Sequence, residues 1–496
     1  MSVLGLDIGT STCKGIVLSC DGVVLAQKQV DYSHAVQVFG EAAEIDPSYF
    51  RDSVVEVVRA LAKETAEDPI VSISVSSHGE TMIPIGRDGK PLMNAMLSMD
   101  RRCEKQVELL KQRVGTEKIY YITGAMPHSQ FPIPKIMWFQ QEHPDLAACV
   151  ENYDTASDYI HRCFGIPKVV DYSMACRIGG FDVHTRKWSD EILEAAEISI
   201  DQLSKPVCGG TPIGKIPPHI AADLGLSDGV TLVAGGHDQP CASIGMGIID
   251  EQTITVSAGS YECAARASAQ PANNKDGMRY GLNSYCHVLP DKYITLAFFV
   301  SGMMAKWYLD TFCNEEKRLA KTEGRSIFDY MESAFKDGPT GICVTPHIFG
   351  ATNPEWNEKA TAKITGVKAS TTKADLYKAV LEGVSCELDL NIRVLERLTA
   401  PVQRLLMTGG GTRSAKWMQM RSDITGKVVD SVNNNAEASC MGAAILAGIG
   451  VGIFKDPADA HTRMRPDFRR YVPTQIEEYC EQKNMYLTLH CPGLMD

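Results

Sequence analysis

The sequence is short of the patterns that mark several common classes of protein. It has 16 cysteines but no Cys-x-x-Cys pair and no Cys/His spacing that suits zinc, which argues against a local zinc module. It has no Asn-x-Ser/Thr glycosylation site and no excess of positive charge, with 49 Lys and Arg against 61 Asp and Glu. The net charge of −12 argues against a nucleic-acid or anionic-membrane partner.

Long hydrophobic runs are also scarce. Residues 439–454 carry no charge, but the run is glycine-rich. It is also shorter than the stretch of about 18 to 20 apolar residues that a helix needs to cross a bilayer. It is better explained as a buried helix that ends in a glycine-rich turn. The first residues lack the basic stretch and apolar run of a signal peptide, so we expect a cytoplasmic protein. A chain of 496 residues is too long for one core, and two or three domains are expected.

The opening stretch, residues 3–18, predicts a β-hairpin. Two apolar runs flank Asp7, a small polar turn and Lys14. The tip of such a hairpin offers backbone N–H groups, hydroxyls and a lysine to one point, which suits a phosphate. Asp7 would repel a phosphate unless a divalent cation lies between them. An ordinary surface hairpin with an exposed Asp explains the local pattern about equally well.

Two further predicted strands end in polar residues. The alternating run at 70–76 leads into His78, Gly79 and Glu80, and the run at 230–236 leads towards Asp238. Ligands of α/β proteins collect at the carboxyl ends of strands, so these groups are candidates for binding hydroxyls. Asp238 is the candidate general base. A solvated loop remains the alternative interpretation of residues 78–80.

The second half repeats the pattern of strand, polar turn and strand. The alternating run at 253–257 precedes Gly259 and Ser260, and the run at 402–408 precedes three glycines and a predicted helix. A strand, a glycine turn and a helix N-terminus together suit the phosphates of a nucleotide.

Two helices have recognisable starts. The charged residues Asp100, Arg101 and Arg102 precede a predicted helix that runs to residue 113 and that Asp100 would cap. A long amphipathic helix is predicted for residues 373–398, with Thr372 and Asp375 as its capping pair.

Five segments carry a resemblance to a known family. They are DIGTSTCK (7–14), GGHDQPCASIGMG (235–247), SAGSYE (257–262), GGGTRSAKWMQMRSDITG (409–426) and EASCMGAAILAGIG (437–450). In this order they resemble the motifs of the FGGY carbohydrate kinases, which include glycerol kinase, xylulokinase and fuculokinase and belong to the actin-like ATPase superfamily. Each motif alone is moderately specific, whereas five in the right order are highly specific.

The resemblance implies a role for each matching residue. Asp7 and Asp238 would hold Mg²⁺, and Asp238 would be the catalytic base. The ATP-binding residues would be Gly9, Thr10, Ser11, Thr12, Lys14, Gly259, Ser260, Gly302, Gly409, Gly410, Gly411 and Ser414. The acceptor-binding residues would be His78, Gly79, Glu80, Asp100, Arg101, Arg102, Asp238 and Gln239.

The implied fold is α/β, with two ribonuclease-H-like (actin-like ATPase) domains around a central cleft. Residues 1–248 would carry the sugar site, the first phosphate loop and the catalytic Asp. Residues 252–496 would carry the second phosphate hairpin, the adenosine site and a C-terminal tail, with the hinge at 248–252. A homodimer is left open, and neither nucleic acid nor membrane is an expected partner.

The implied activity is transfer of the γ-phosphoryl group of ATP, with Mg²⁺, to a hydroxyl of a small sugar or polyol. The acceptor motif is mixed, because Ser77-His78-Gly79 resembles the Met-His-Gly of xylulokinases while Gly79-Glu80-Thr81 resembles the Arg-Glu-Thr of glycerol kinases. A ketopentose such as xylulose is the favoured acceptor. The alternatives are an actin-like ATPase that acts on a protein partner and a kinase-dead sugar sensor.

Overall fold

The structure is a computed structural model that describes residues 1–247, 250–432, 437–465 and 467–490. The predicted hinge at 248–252 therefore lies partly outside the described residues. Two large sheets organise the chain. One is formed by strands that precede residue 248, and the other by strands that follow residue 252. The predicted division of the chain into two domains there stays a prediction.

The first sheet has six strands and packs against a long helix from the same part of the chain. Its strands are β1 (Ser2–Ile8), β2 (Thr12–Ser19), β3 (Val24–Asp31), β4 (Ile70–Ser77), β5 (Pro212–Lys215) and β6 (Thr231–His237). The helices used below are α1 (Ser48–Glu64) and α2 (Asp238–Gly245).

The second sheet has seven strands. They are β7 (Thr253–Ala258), β8 (Tyr261–Ser268), β9 (Asn283–Cys286), β10 (Tyr293–Val300), β11 (Arg404–Thr408), β12 (Val428–Val432) and β13 (Phe468–Tyr471). The helices used below are α3 (Gly302–Phe312), α4 (Lys373–Leu398), α5 (Ala415–Thr425), α6 (Ala438–Gly450), α7 (Pro457–Met464) and α8 (Cys480–His490).

Smaller elements lie between the strands of the two sheets. The α-helices among them are Glu104–Val114, Thr116–Thr123, Pro132–Glu142, Pro144–Ala147, Ala156–Cys163, Tyr172–Cys176, Asp190–Ala196, Pro218–Asp223, Lys275–Arg279, Asn314–Thr322 and Ile327–Glu332. Short strands form at Gln37–Phe39, Ala42–Ile45, Ile83–Gly86, Ala95–Met96, Val150–Asp154, Val169–Asp171, Phe181–Asp182, Lys187–Trp188, Lys205–Val207, Cys343–Thr345 and Lys363–Thr365.

The two sheets repeat one topology. In the first, β3, β2 and β1 form an antiparallel meander, β4 and β6 continue it parallel to β1, and β5 is an antiparallel edge. In the second, β10, β8 and β7 form the meander, β11 and β12 run parallel to β7, and β13 is the antiparallel edge. This order confirms the α/β prediction and the expected duplication of the fold.

Local predictions are confirmed where the sequence carries a complete signal. Both predicted hairpins form, with Asp7 opposite Lys14 in one and Ala258 opposite Glu262 in the other. Helix α4 has the predicted bounds, and Thr372 and Asp375 form its capping box. The helix predicted to follow Asp100 begins at Glu104 instead, because the Asp100 carboxylate is engaged by Ala43 and Arg102 rather than by the helix N-terminus.

Helix α6 packs mainly against the first sheet, and only its first residue, Ala438, joins a cluster with residues of the second sheet. Its apolar residues Cys440, Ala444 and Ile445 pack against Val3 and Leu18 of the first sheet. The predicted buried helix is thus confirmed, but it covers a sheet made by the opposite end of the chain. Within the described ranges, no helix combines the length and the apolar character that crossing a membrane requires.

Two glycines allow α6 to approach α2 closely. A Cβ on Gly245 would lie 1.9 Å from the Ala438 carbonyl oxygen, and one on Gly442 would lie 1.9 Å from the Cys241 carbonyl oxygen. Real Cβ atoms do not approach backbone oxygens this closely, so any side chain at either position would push the helices apart.

We expect Gly245→Ala and Gly442→Ala each to destabilise the protein by about 2 kcal/mol, because overpacking forces the helix backbones to shift. The midpoint of thermal unfolding measures the effect. Gly410→Ala is the control, since a Cβ there meets no atom within 4 Å. Equal midpoints for all three variants would contradict the close approach.

Candidate active site

Three neighbouring parallel strands lead to Asp7, to residues 78–80 and to Asp238 at one edge of the first sheet. Asp7, near the end of β1, is in register with Ser76 of β4, and Ser77 is in register with His237 of β6. The loop that carries Glu80 and the helix that begins at Asp238 therefore start side by side. The structure brings these acidic groups together, as strand ends in an α/β sheet do.

Asp238 is the first residue of α2 and is partly buried. Its Oδ1 is shielded from solvent and has no hydrogen-bond partner. His237 Nε2 lies 3.1 Å from this oxygen without meeting the geometry of a hydrogen bond. Burial, followed by the nearby carboxylates of Asp7 and Glu80, raises the pKa of Asp238 to about 7.

Asp7 is buried beside Asp238 and is held from two sides. The Ser76 hydroxyl donates to Asp7 Oδ1 at 2.9 Å, and Ser439 at the start of α6 is a second hydrogen-bond partner. Burial nevertheless raises the pKa of Asp7. Lys14, the nearest basic residue on the hairpin, forms an ion pair with Glu437 at 2.8 Å.

The first hairpin is rigidly tied at its turn. The Gly9 N–H donates to the Thr12 carbonyl at 2.8 Å, and the Tyr32 hydroxyl donates to the carbonyl oxygens of Gly9 and Thr12. The carbonyl groups of Gly9 and Thr12 thus accept hydrogen bonds from within the protein, and the side chains of the turn are the polar groups that face outward. Thr10, Ser11 and Thr12 are all partly exposed there.

The second hairpin is tied to the start of α3. Gly302 N–H donates to the Gly259 carbonyl at 3.0 Å, and Met303 N–H donates to the Ser260 carbonyl at 3.1 Å. A Cβ on Gly302 would lie 2.6 Å from the Gly259 oxygen. Gly302 thus supports the hairpin, and its predicted contact with ATP stays a prediction.

A cavity of about 580 Å³ separates the two sheets beside Asp238. Its walls come from α2, β7, the glycine loop after β11 and the start of α6; they include Asp238, Gln239, Ser257, Gly409, Gly410, Thr412, Glu437 and Ser439. The cavity has the size of a small-ligand site. The expected cleft between two halves is therefore present.

The glycine loop reaches this cavity by packing tightly on β7. Gly409 has a φ of +95°, and a Cβ there would lie 2.6 Å from the Ala258 oxygen. Gly411 lies against Ala258 and Trp417, and Ser414 accepts a hydrogen bond from Trp417 N–H as the N-cap of α5. Gly409 and Gly410 line the cavity, whereas Gly411 and Ser414 support the loop.

Glu80 belongs to a buried ion pair that sequence reasoning missed. Its backbone has a φ of +61°, and its Oε1 accepts from Arg177 Nε at 2.6 Å. The guanidinium of Arg177 lies 5.0 Å from the ring centres of both Phe131 and Tyr285. Burial would raise the pKa of Glu80, but Arg177, together with His237 and Lys135, more than offsets burial, so that the pKa is lowered.

Lys135 fixes the backbone of the same loop. Its Nζ is fully buried and donates to the carbonyl oxygens of Glu80, Leu97 and Gln130, each at 2.7 Å. Burial lowers the pKa of Lys135 to about 8. Neither Lys135 nor Arg177 belongs to a local motif, because each reaches Glu80 from a distant part of the chain.

His78 makes close contacts within the protein through both ring nitrogens. Its Nδ1 lies 2.8 Å from the Ile8 carbonyl oxygen, and its Nε2 lies 2.5 Å from the Thr81 hydroxyl. Both ring nitrogens are thus engaged within the protein, and the predicted contact of His78 with the acceptor stays a prediction. Gly79 lies against Arg177 and His237, where a Cβ would come within 3.1 Å of both side chains.

The predicted acceptor residues 100–102 form a separate charge cluster. Asp100 is fully buried and accepts from Ala43 N–H and from the Arg102 guanidinium, which stacks on Trp138 at 4.5 Å. Arg101 is exposed and pairs with Glu104. None of the three lines the described cavity beside Asp238, and their predicted contact with the acceptor stays a prediction.

Comparison with known proteins gives matches over most of the chain. Residues 2–245 match the family model described as the FGGY family of carbohydrate kinases, N-terminal domain, and residues 254–451 match its C-terminal domain. A gluconokinase from Bacillus licheniformis is 27% identical over 98% of this chain and 95% of its own length. A xylulose kinase from Staphylococcus xylosus is 24% identical over 98% of this chain and 99% of its own length.

A solved structure shows the same fold. The ligand-bound xylulose kinase from Lactobacillus acidophilus has a TM-score of 0.88 to this chain at 22% identity, covering 99% of this chain and 97% of its own.

We expect Arg177→Met to lower the free energy of unfolding by about 3 kcal/mol, because it leaves the Glu80 carboxylate buried without its partner. Urea unfolding followed by tryptophan fluorescence measures the change. Arg101→Met is the matched control, since its ion pair is exposed and should contribute little. Similar losses in the two variants would contradict the role given to the Glu80–Arg177 pair.

Proposed function

The chain belongs to the FGGY family of carbohydrate kinases and is an ATP-dependent carbohydrate kinase, and we propose that Asp238 is its catalytic base. This proposal rests on the position of Asp238. The residue lines the cavity and also lies beside the Glu80–Arg177 pair. Its pKa of about 7 suits a group that takes up a proton near neutral pH.

In this mechanism the acceptor hydroxyl lies against Asp238. The carboxylate aligns the hydroxyl oxygen and takes its proton as that oxygen attacks the γ-phosphorus of ATP, and ADP leaves. The start of α2 supports the arrangement, because Asp238 is fixed by the helix that follows it. Closure of the cleft around both substrates would limit the hydrolysis of ATP by water.

The acidic residues fit Mg²⁺. Asp238 Oδ1 is buried without a hydrogen-bond partner, and the Asp7 carboxylate is close enough to raise the pKa of Asp238. Two oxygen donors of this kind suit a hard divalent cation. Asp7 and Asp238 would hold the ion, which would supply positive charge at the phosphates of ATP.

ATP would occupy the 580 Å³ cavity between the hairpins and the glycine loop. Thr10, Ser11, Thr12 and Ser260 would face its phosphates, and Gly409 and Gly410 would lie against the rest of the nucleotide. Lys14 would turn to the phosphates from Glu437, to which it is bound at 2.8 Å. Glu437 and Ser439 were not among the predicted site residues, and we add them because both line the cavity.

The acceptor is a neutral sugar, with a ketopentose such as xylulose favoured. Asp7, Glu80 and Asp238 bring three carboxylates to the site, and the nearby Arg177 is already paired with Glu80. An acceptor with its own carboxylate would be repelled by these three carboxylates. Gluconate is the second candidate, because gluconokinases are among the relatives. The homodimer and the cytoplasmic location stay predictions.

A panel of acceptors tests this assignment. We expect ADP release from ATP and Mg²⁺ to depend on added sugar, with kcat/KM for D-xylulose or D-ribulose about tenfold or more above that for gluconate. Glycerol serves as the small-polyol comparison. A preference for gluconate would overturn the neutral acceptor, and ADP release without any acceptor would support an ATPase that acts on another partner.

We expect Asp238→Asn to reduce kcat by about 10² to 10⁴-fold while the dissociation constant for ATP changes little, since the amide cannot accept the proton. Steady-state assays and nucleotide titration measure the two effects. Asp228→Asn, in an exposed turn, is the control and should retain activity. A near-normal kcat in Asp238→Asn would refute the base assignment.

A further inference from the structure

A second cluster of ligating side chains lies in the second half of the chain, away from the residues of the proposed active site. His347 follows the short strand Cys343–Thr345, Glu387 lies in the middle of α4, and His490 ends α8. One potential ligand atom from each residue lies within 4.8 Å of the other two. We propose that His347, Glu387 and His490 bind a divalent transition-metal ion, Zn²⁺ in the first place.

The distances suit a shared ion better than direct hydrogen bonds. Glu387 Oε2 is 3.7 Å from His347 Nε2 and 3.4 Å from His490 Nε2. Ligands at about 2.0 to 2.2 Å from a tetrahedral Zn²⁺ are themselves about 3.4 Å apart. The observed separations therefore leave space for one ion between the three atoms.

The two imidazoles lack a hydrogen bond at the atoms that face the cluster. Nε2 of His347 and Nε2 of His490 are both buried from solvent and make no hydrogen bond. The His347 side chain is 5% exposed and the His490 side chain 4%. Buried polar atoms are normally satisfied, and one metal ion would satisfy both nitrogens at once.

The surroundings supply the support that metal ligands usually have. Glu355 Oε2 lies 3.3 Å from Nδ1 of His490, on the side of the ring opposite the proposed ion. The Tyr486 hydroxyl donates to Glu387 Oε2. A carboxylate behind a ligating histidine and a hydrogen bond to a ligating carboxylate orient both side chains. Two imidazoles and one carboxylate are donors that suit Zn²⁺ rather than Mg²⁺.

The ion would connect three segments that are distant in sequence. The loop after Cys343–Thr345, helix α4 and the C-terminal end of α8 would share one set of bonds, so that metal binding stabilises the docking of α8. This role is independent of phosphoryl transfer and of the acceptor.

Competition with a chromophoric chelator, on the full chain without nucleotide, tests the site. We expect one equivalent of Zn²⁺ to bind wild-type protein and to raise its melting temperature, and this equivalent to be lost in His347→Gln and in His490→Gln. His219→Gln is the matched control, because His219 is exposed on another part of the surface. Failure to bind a stoichiometric equivalent, or binding that both cluster variants retain, would overturn the proposal.

Cobalt substitution gives a second readout that needs no variant. Co²⁺ bound to wild-type protein should show the visible bands of a four- or five-coordinate ion and no strong thiolate charge-transfer band in the near ultraviolet. A thiolate band would assign the ion to cysteine ligands and overturn the proposal. The weak spectrum of hexaaqua-like Co²⁺ would overturn it as well.

Discussion

The grouping of buried carboxylates at the ends of β1, β4 and β6 is the constraint on which the candidate site depends. Burial, followed by the Asp7 and Glu80 carboxylates, raises the pKa of Asp238, so this arrangement has an electrostatic cost in the protein alone. Contacts around the three carboxylates reduce that cost unequally. Ser76 and Ser439 stabilise Asp7, whereas Arg177 stabilises Glu80, and Asp238 is left without such a partner. The unbalanced group is the one best placed to meet cation and substrate.

Much of the fold could be predicted because its signals are local. The two hairpins, the capping box of α4 and the glycine loop after β11 each depend on residues a few positions apart. Their repetition showed two similar hairpins, and the resemblance to the FGGY family implied the duplicated α/β fold. The position of α6 could not be predicted in the same way. Its composition shows only that it is buried, and not which sheet buries it.

The residues of the candidate site also differ in how far they could be predicted from local sequence. Asp238 and Gly409 could be singled out because each follows a predicted strand, and the structure places both on the wall of one cavity. Arg177 and Lys135 have no motif, and only the folded chain places both against Glu80. Residues 100–102 form a charged local pattern whose Asp100 and Arg102 make a buried ion pair, and their predicted contact with the acceptor stays a prediction. The His347–Glu387–His490 cluster has no local spacing at all, which is why a search for zinc motifs passes over it.

The packing of α6 on the first sheet has a consequence for how the protein is made. Val3, Ile16 and Leu18 of the first sheet are covered by residues 440–445. During translation, these strands are therefore synthesised long before residues 440–445, which cover this face of the sheet. The first half cannot complete its core during translation, and a fragment that ends at residue 247 would present this apolar surface to chaperones or to other chains. The two halves of the sequence are thus interdependent in folding, although each builds its own sheet.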